Sequence, residues 1–330
     1  MRTRLSRAGE RDVAKASALP ALFLFLLAGH ASPQAAPAGQ DPDAGSFRFS
    51  VDVALVVLPA TVTDRQGGFV SNLSERDFGV YENGVPQHIR LFRNEDIPVT
   101  VGLVVDQSSS MGPKLAEVSA AARSFVRSSN PDDEMFVVNF NERVSLGLPS
   151  AIRFTNNTVE LGNAINTKPA GGQTALYDAI AKALEALQAG SRDKRVLIVV
   201  SDGGDNASER KLAQVMKLAE QSSAVIYTIG VFDEDDEDRN PGVLKRLAQA
   251  TGGESFLPSR LGEVVPICER IARDIRHQYT IGYVPATVAR NGAYRAIRVV
   301  ARVKGHELSV RTRTGYIAGG EPKPDEKAAK

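Results

Sequence analysis

Apolar residues change their spacing twice along the chain. Phe47, Val51, Val53, Leu55 and Val57, followed by Thr61-Val62-Thr63, are aromatic or β-branched and partly alternate, which predicts strands. Phe78 to Tyr81 runs into Asn83-Gly84, two residues that tolerate positive φ, so a hairpin turn is expected with His88 to Phe92 as its return strand. From Val99 the pattern becomes β/α. Val101 to Val105, Val196 to Val200 and Val225 to Ile229 are continuous apolar runs, as in strands buried on both faces, and Met135 to Val138 reads as a further strand. Between them, helical stripes run through Leu115, Val118, Ala122 and Phe125, opened by Pro113. Others run through Leu176, Ile180, Leu184 and Leu187, opened by Thr174, through Leu212, Val215, Met216 and Ala219, and through Val243, Leu244, Leu247 and Ala248 up to Gly252-Gly253. Val264, Cys268, Ile271 and Ile275 share one face of a last helix. After Gln278 the spacing returns to strands, at Tyr279–Tyr283, Tyr294–Val303 and Leu308–Arg313, with turns at Asn291-Gly292 and Lys304-Gly305.

Alternation of this kind predicts an α/β fold with a doubly wound, mostly parallel sheet and helices on both faces, over 98–276. The β segments at 46–97 and 277–317 are each too small to bury an apolar face alone. They are expected to pack with each other as a small β-sandwich-like unit flanking the α/β domain, whereas 98–276 has its own sheet and is expected to fold as a separate fragment.

The ends read differently. Residues 1–17 are rich in arginine, and the apolar run Ala18 to Ala28 falls short of the about 20 residues that span a bilayer. With the small residues Gly29 and Ala31 behind it, the stretch 1–31 has the form of a signal peptide, which implies export to the periplasm or the extracellular space and no transmembrane domain in the mature chain. Residues 32–45 are rich in Pro, Ala and Gly and read as a linker, and 318–330 read as a disordered tail.

The composition narrows the function. In 330 residues there are 40 Lys and Arg against 39 Asp and Glu, so no basic field draws the chain to nucleic acid. One cysteine, Cys268, excludes an intramolecular disulfide and multi-cysteine zinc sites, and the four histidines are too scattered for a His-rich centre. No G-x-S-x-G, Walker A or G-x-G-x-x-G pattern occurs.

Ligand sites of open α/β sheets lie at the carboxyl ends of the strands. Oxygen donors gather in three such segments, Asp106-Gln107-Ser108-Ser109-Ser110, Gly171-Gly172-Gln173-Thr174 and Ser201-Asp202-Gly203-Gly204-Asp205. Each alone has a structural reading. Asp106 to Ser110 can start a helix, Thr174 can be an N-cap, and Asp202-Gly203 can be a turn. The acidic run Asp233 to Asp238 lacks the glycine of an EF-hand loop and reads as a solvated loop.

Taken in this order on this β/α pattern, the three segments resemble the von Willebrand factor type A (VWA) domain and its metal-ion-dependent adhesion site (MIDAS). The D-x-S-x-S motif is matched by Asp106, Ser108 and Ser110, the family's threonine by Thr174 and its second aspartate by Asp202. The flanks, Ser74 to Gln87 before the domain and Gln278 to Pro285 with Gly315-Tyr316 after it, resemble the bacterial VWFA-related domain family. The resemblance implies that these five residues hold Mg²⁺, with Mn²⁺ and Ca²⁺ as alternatives. Two carboxylates and three hydroxyls are a hard-oxygen set of the kind Mg²⁺ takes. It also implies a non-enzymatic role in adhesion, in which a protein partner presents an acidic side chain to the ion. Two alternatives stand beside it: a metal-dependent hydrolase, for which no general base is evident near the five residues, and a structural envelope protein whose ion only staples the fold.

Overall fold

The computed structural model describes residues 55–165, 169–232, 238–286 and 292–318. The signal-peptide, linker and tail assignments, and residues 233–237 of the acidic run, lie outside the described residues, apart from Ala318. In chain order the N-terminal strands are β1 (Val56–Thr63), β2 (Phe78–Glu82), β3 (Val85–Gln87) and β4 (Ile89–Arg93). The α/β region holds β5 (Val99–Asp106), α1 (Leu115–Ser128), β6 (Glu134–Phe140), β7 (Val144–Leu146), α2 (Thr158–Ile165), α3 (Leu176–Leu187), β8 (Lys194–Ser201), α4 (Leu212–Gln221), β9 (Val225–Gly230), α5 (Pro241–Thr251), β10 (Ser255–Phe256) and α6 (Val264–Arg276). The chain closes with β11 (Tyr279–Tyr283), β12 (Tyr294–Val303), β13 (His306–Arg311) and β14 (Gly315–Ile317).

The α/β sheet has 6 strands in the order β10-β9-β8-β5-β6-β7, parallel throughout except for the antiparallel β7. Every residue of β5 is buried, as its unbroken apolar run requires of a central strand. Leu103 and Val105 of β5, with Ile198 and Val200 of β8, face Val118 and Phe125 of α1 and Cys268 of α6. Gly102 lets neighbouring strands close in, since a Cβ there would lie 2.6 Å from both Leu197 and Phe136. The chain leaves β5 for β6 on one side and later returns to β8 on the other. The carboxyl ends of β5 and β8 therefore meet at the switch point of the winding.

The flanking strands interleave in a second, antiparallel sheet of 8 strands, β3-β2-β12-β13-β1-β11-β4, with β14 also on β12. A sandwich of two stacked sheets was expected, but hydrogen bonding runs through all of them in one path. The reason lies in β1, which pairs with β11 over Val56–Ala60 and switches to β13 over Thr61–Thr63. The sheet curls over its own apolar face, where Leu58, Ala60, Val80, Tyr279, Ile281 and Val299 are buried. Phe78 of β2 comes within 5.4 Å of Phe92 of β4, at the other end of the path. The Asn83-Gly84 turn forms with both residues at positive φ, but its return strand is β3, and Ile89–Arg93 instead leaves to pair with β11.

A buried polar cluster joins the two sheets. Asp274 of α6, 1% exposed, accepts hydrogen bonds from Thr61 Oγ1 (2.6 Å), Tyr227 Oη (3.0 Å) and the Arg311 guanidinium. Arg311 also donates to the Gly252 carbonyl at 2.9 Å. Arg313 reaches the Glu220 carbonyl at 2.6 Å.

Asp133, 5% exposed, accepts from the Val99 amide at 2.8 Å, and burial raises its pKa from 3.8 to about 6. The folded state then holds this proton more tightly than the unfolded chain, so its effect on stability is favourable at low pH and is lost as pH rises from about 4 to about 6. Asp133→Asn keeps an oxygen acceptor for Val99 and removes the titration. Urea unfolding at pH 4 and at pH 6.5 should show the variant's stability relative to wild type improving between the two by about 2–3 kcal/mol. An unchanged difference would remove Asp133 from the pH dependence.

Candidate metal centre

β5 ends on Asp106, which is fully buried. The chain turns at once, because the Ser108 amide donates to Asp106 Oδ1 at 2.8 Å, an Asx turn. Ser109–Lys114 follows as a 3-10 helix with Pro113 inside it, and the α-helix begins only at Leu115. β8 ends one strand away on Ser201, whose Oγ donates to Asp106 Oδ2 at 2.7 Å and accepts from the Gly203 amide at 3.0 Å. Gly203 has φ +82, and a Cβ there would stand 2.4 Å from the Asn240 carbonyl, so the turn after Asp202 needs glycine. Asp202 Oδ1 accepts from the Gly204 amide at 2.9 Å, and Oδ2 accepts from Ser110 Oγ at 2.7 Å. Ser108 Oγ lies 3.2 Å from Ser110 Oγ.

The segment bearing Thr174 is tied in through the backbone. The Gly171 amide donates to the Gln107 carbonyl (2.9 Å), and the Ser109 amide donates to the Gly172 carbonyl (3.3 Å). Side-chain amides hold its approach, Gln107 on the Ile165 carbonyl and Asn139 on the Ala164 carbonyl, both at the end of α2. Thr174 N donates to Asn206 Oδ1 at 2.9 Å, and the Thr174 carbonyl accepts from Asn206 N at 3.0 Å. Thr174 is 7% exposed. It is not the N-cap considered above, for α3 begins at Leu176 and its Tyr177 amide donates to Asp205 Oδ1 at 3.1 Å, from the loop after β8.

Asp106, Ser108, Ser110 and Asp202 thus form one hydrogen-bonded chain, with Thr174 beside it through Asn206 and the Gly171–Gly172 turn. Ser201 and Asp205 were read only as members of the oxygen-donor segment around Asp202, and Asn206 carries no pattern that sequence reading could use. Their only mark is adjacency to Asp202.

Burial raises the Asp106 pKa to about 6; the Ser108 and Ser201 hydrogen bonds oppose this, and the Asp202 charge adds to it. Among the described residues neither Asp106 nor Asp202 makes an ion pair. Two neighbouring buried carboxylates that make no ion pair among the described residues are a costly arrangement that a cation offsets. The donors are all oxygen, and no group of three or more His, Cys, Asp or Glu side chains is assembled among the described residues. The set therefore fits a hard divalent ion in chemistry and in charge. Cys268 is 3% exposed with its thiol pushed up to about 12 by burial, so it is a core residue and not a ligand.

The α/β region also matches known proteins. The model of the von Willebrand factor type A domain family matches residues 100–263. Mouse inter-alpha-trypsin inhibitor heavy chain H2 is 28% identical over 185 residues, 52% of this chain and 19% of that protein. The chain thus spans about a fifth of the length of the curated relatives it matches. Among solved structures, a von Willebrand factor type A protein from Catenulispora acidiphila covers 80% of this chain and 73% of its own, with 12% identity and a TM-score of 0.49. Proximal thread matrix protein 1 of the mussel byssus, with a zinc-occupied MIDAS motif, covers 60% of this chain and 50% of its own, with 17% identity and a TM-score of 0.48. No helix among the described residues is long and apolar enough to cross a membrane.

Proposed function

Residues 100–263 make this chain a VWA-domain protein, and from that premise we propose that it is an exported, non-enzymatic module that binds a protein partner through one divalent cation, Mg²⁺ in this reading. Asp106, Ser108, Ser110, Thr174 and Asp202 would hold the ion, and the ion would supply positive charge for a partner's Asp or Glu. The observation that carries the reading is the 2.7 Å hydrogen bond from Ser110 Oγ to Asp202 Oδ2, which joins the donors of β5 to those of β8 at the switch point of the sheet. The chain's own part is to hold these oxygens in place. Ser201 fixes the Asp106 carboxylate, the Gly203 turn aims Asp202, and Asn206 anchors the Thr174 backbone. The hydrolase alternative finds no support in the local chemistry, since among the described residues no histidine, and no lysine or carboxylate beyond the two donors, hydrogen-bonds to these five residues.

Capture of partners from the source organism's envelope fraction, with Mg²⁺ and with EDTA, tests this reading. Partner recovery should be lost in EDTA. Thr174→Ala removes a neutral oxygen and no charge, so the variant should keep its fold and much of its Mg²⁺ affinity while partner binding weakens about tenfold or more. A partner held equally well in EDTA, or equally well by Thr174→Ala, would transfer recognition to another surface.

A further inference from the structure

We propose that Lys114 is a positioning residue of the metal centre, its buried ammonium strapping the segment that carries Ser108 and Ser110 to the end of β9. The inference rests on the metal-bridge reading above and adds to it a residue outside the five donors. Lys114 closes the 3-10 segment Ser109–Lys114 and is 2% exposed. Its Nζ donates to the Val231 carbonyl at 3.3 Å, across 117 positions of sequence. Val231 is the first residue after β9. In the strand order β9-β8-β5, the strand that leads into Asp202 stands between the two that Lys114 ties together.

The bond closes a ring. The Val231 amide donates to the Ser201 carbonyl at 3.1 Å. Asp202 follows Ser201, and its Oδ2 accepts from Ser110 Oγ at 2.7 Å. The chain from Ser110 to Lys114 completes the circuit. Ser110 is thus placed by two routes at once, through its own hydroxyl and through the ammonium of Lys114. Ser201 also holds the Asp106 carboxylate, so the ring is fastened to the other aspartate as well.

The burial of both ends shows why a lysine serves here. Val231 is 3% exposed and lies beyond Thr228 and Ile229, where β9 pairs with β10, so its carbonyl is buried past the end of that ladder. A buried carbonyl requires a donor, and an ammonium stays buried only where acceptors offset its desolvation. The segment being held is weak by itself, since 3-10 hydrogen bonds are poorly aligned and Pro113 offers no backbone N–H. A lysine has no acceptor and cannot ligate a cation, so Lys114 acts through Ser110 and its neighbours. Groups that orient metal ligands without touching the ion tune its affinity, because the ligands are then in place before it arrives.

Lys114→Met keeps the length and apolar bulk of the side chain and removes the donor. Titration calorimetry on the full chain should show its Mg²⁺ affinity about tenfold below that of wild type. In a Ser110→Ala background the same substitution should cost at most about threefold, because the ligand through which Lys114 acts is already gone. A general loss of stability would instead lower affinity by one factor in both backgrounds. In ion-free protein, the Met111 and Leu115 amides, which donate to the Ser108 and Met111 carbonyls, should exchange hydrogen about tenfold faster in Lys114→Met, with the amides of β8 unchanged. Lys114→Gln, too short to reach Val231, is the second variant should Lys114→Met not fold, and it should lose affinity likewise. Wild-type Mg²⁺ affinity in either folded variant, or equal losses in the two backgrounds, overturns the strap and leaves the metal centre standing. If wild type itself binds no Mg²⁺, the metal reading fails and this inference falls with it, whatever the exchange rates.

Discussion

Arg311→Met should cost about 3–5 kcal/mol of stability, because it breaks the ion pair of the buried Asp274 carboxylate and leaves only the more distant Lys194 ammonium nearby. Asp274 is 1% exposed, and its remaining donors are the neutral hydroxyls of Thr61 and Tyr227. Two uncharged hydrogen bonds do not replace the solvation that a carboxylate loses on burial. Urea unfolding reads the loss directly, and the thermal midpoint should fall by about 10 °C. Replacing both charges, Asp274→Leu with Arg311→Met, should recover part of the loss, since the uncompensated charge is then gone. A loss below about 1 kcal/mol for Arg311→Met would mean that water reaches Asp274 and that the cluster is not what joins the two sheets. The cluster also bears on the expectation that 98–276 folds as a fragment. Cutting there removes Thr61 and Arg311, so the fragment should be less stable than the full chain and should gain from Asp274→Leu.

The second large effect concerns the ion. Mg²⁺ should bind the full chain at one principal site, and Asp106→Ala should abolish binding measurable by titration calorimetry, because half of the site's formal negative charge is lost. The apo variant should not be destabilised to match. The carboxylate that it loses is one that burial already disfavours, with its pKa raised to about 6. Saturating Mg²⁺ should therefore raise the thermal midpoint of wild type, by about 2.7 kcal/mol of linkage at a hundredfold excess over Kd, and leave that of Asp106→Ala unmoved. Equal Mg²⁺ affinity in the two proteins would remove Asp106 from the site.

How much of this was legible in the sequence depended on the physics of each segment. β5, β8 and β9 stood out because strands covered on both faces must be continuously apolar, and Val101–Val105, Val196–Val200 and Val225–Ile229 are. β7 and β10, of 3 and 2 residues, and α2, of 8, are too short for a period to show. Ile89–Arg93 read as the return of the hairpin because local pattern carries no partner identity. Only tertiary pairing sends it to β11. Pro113 was expected to open an α-helix and sits within a 3-10 turn, where the turn that positions Ser108 and Ser110 takes precedence over helix geometry. At the site, the aspartates, serines and threonine were visible as oxygen donors, and their grouping came through a family resemblance. The residues that hold them, Ser201, Asn206 and Asp205, act across 28 to 95 positions of sequence, and their roles leave no local trace.

The most direct test of the central claim is crystallography of the full chain grown with Mn²⁺, with diffraction collected at the manganese absorption edge. The account predicts one principal anomalous peak, enclosed by the oxygens of Asp106, Ser108, Ser110, Thr174 and Asp202. A peak only at the acidic run ending in Asp238, or no ordered manganese between the ends of β5 and β8, would contradict it.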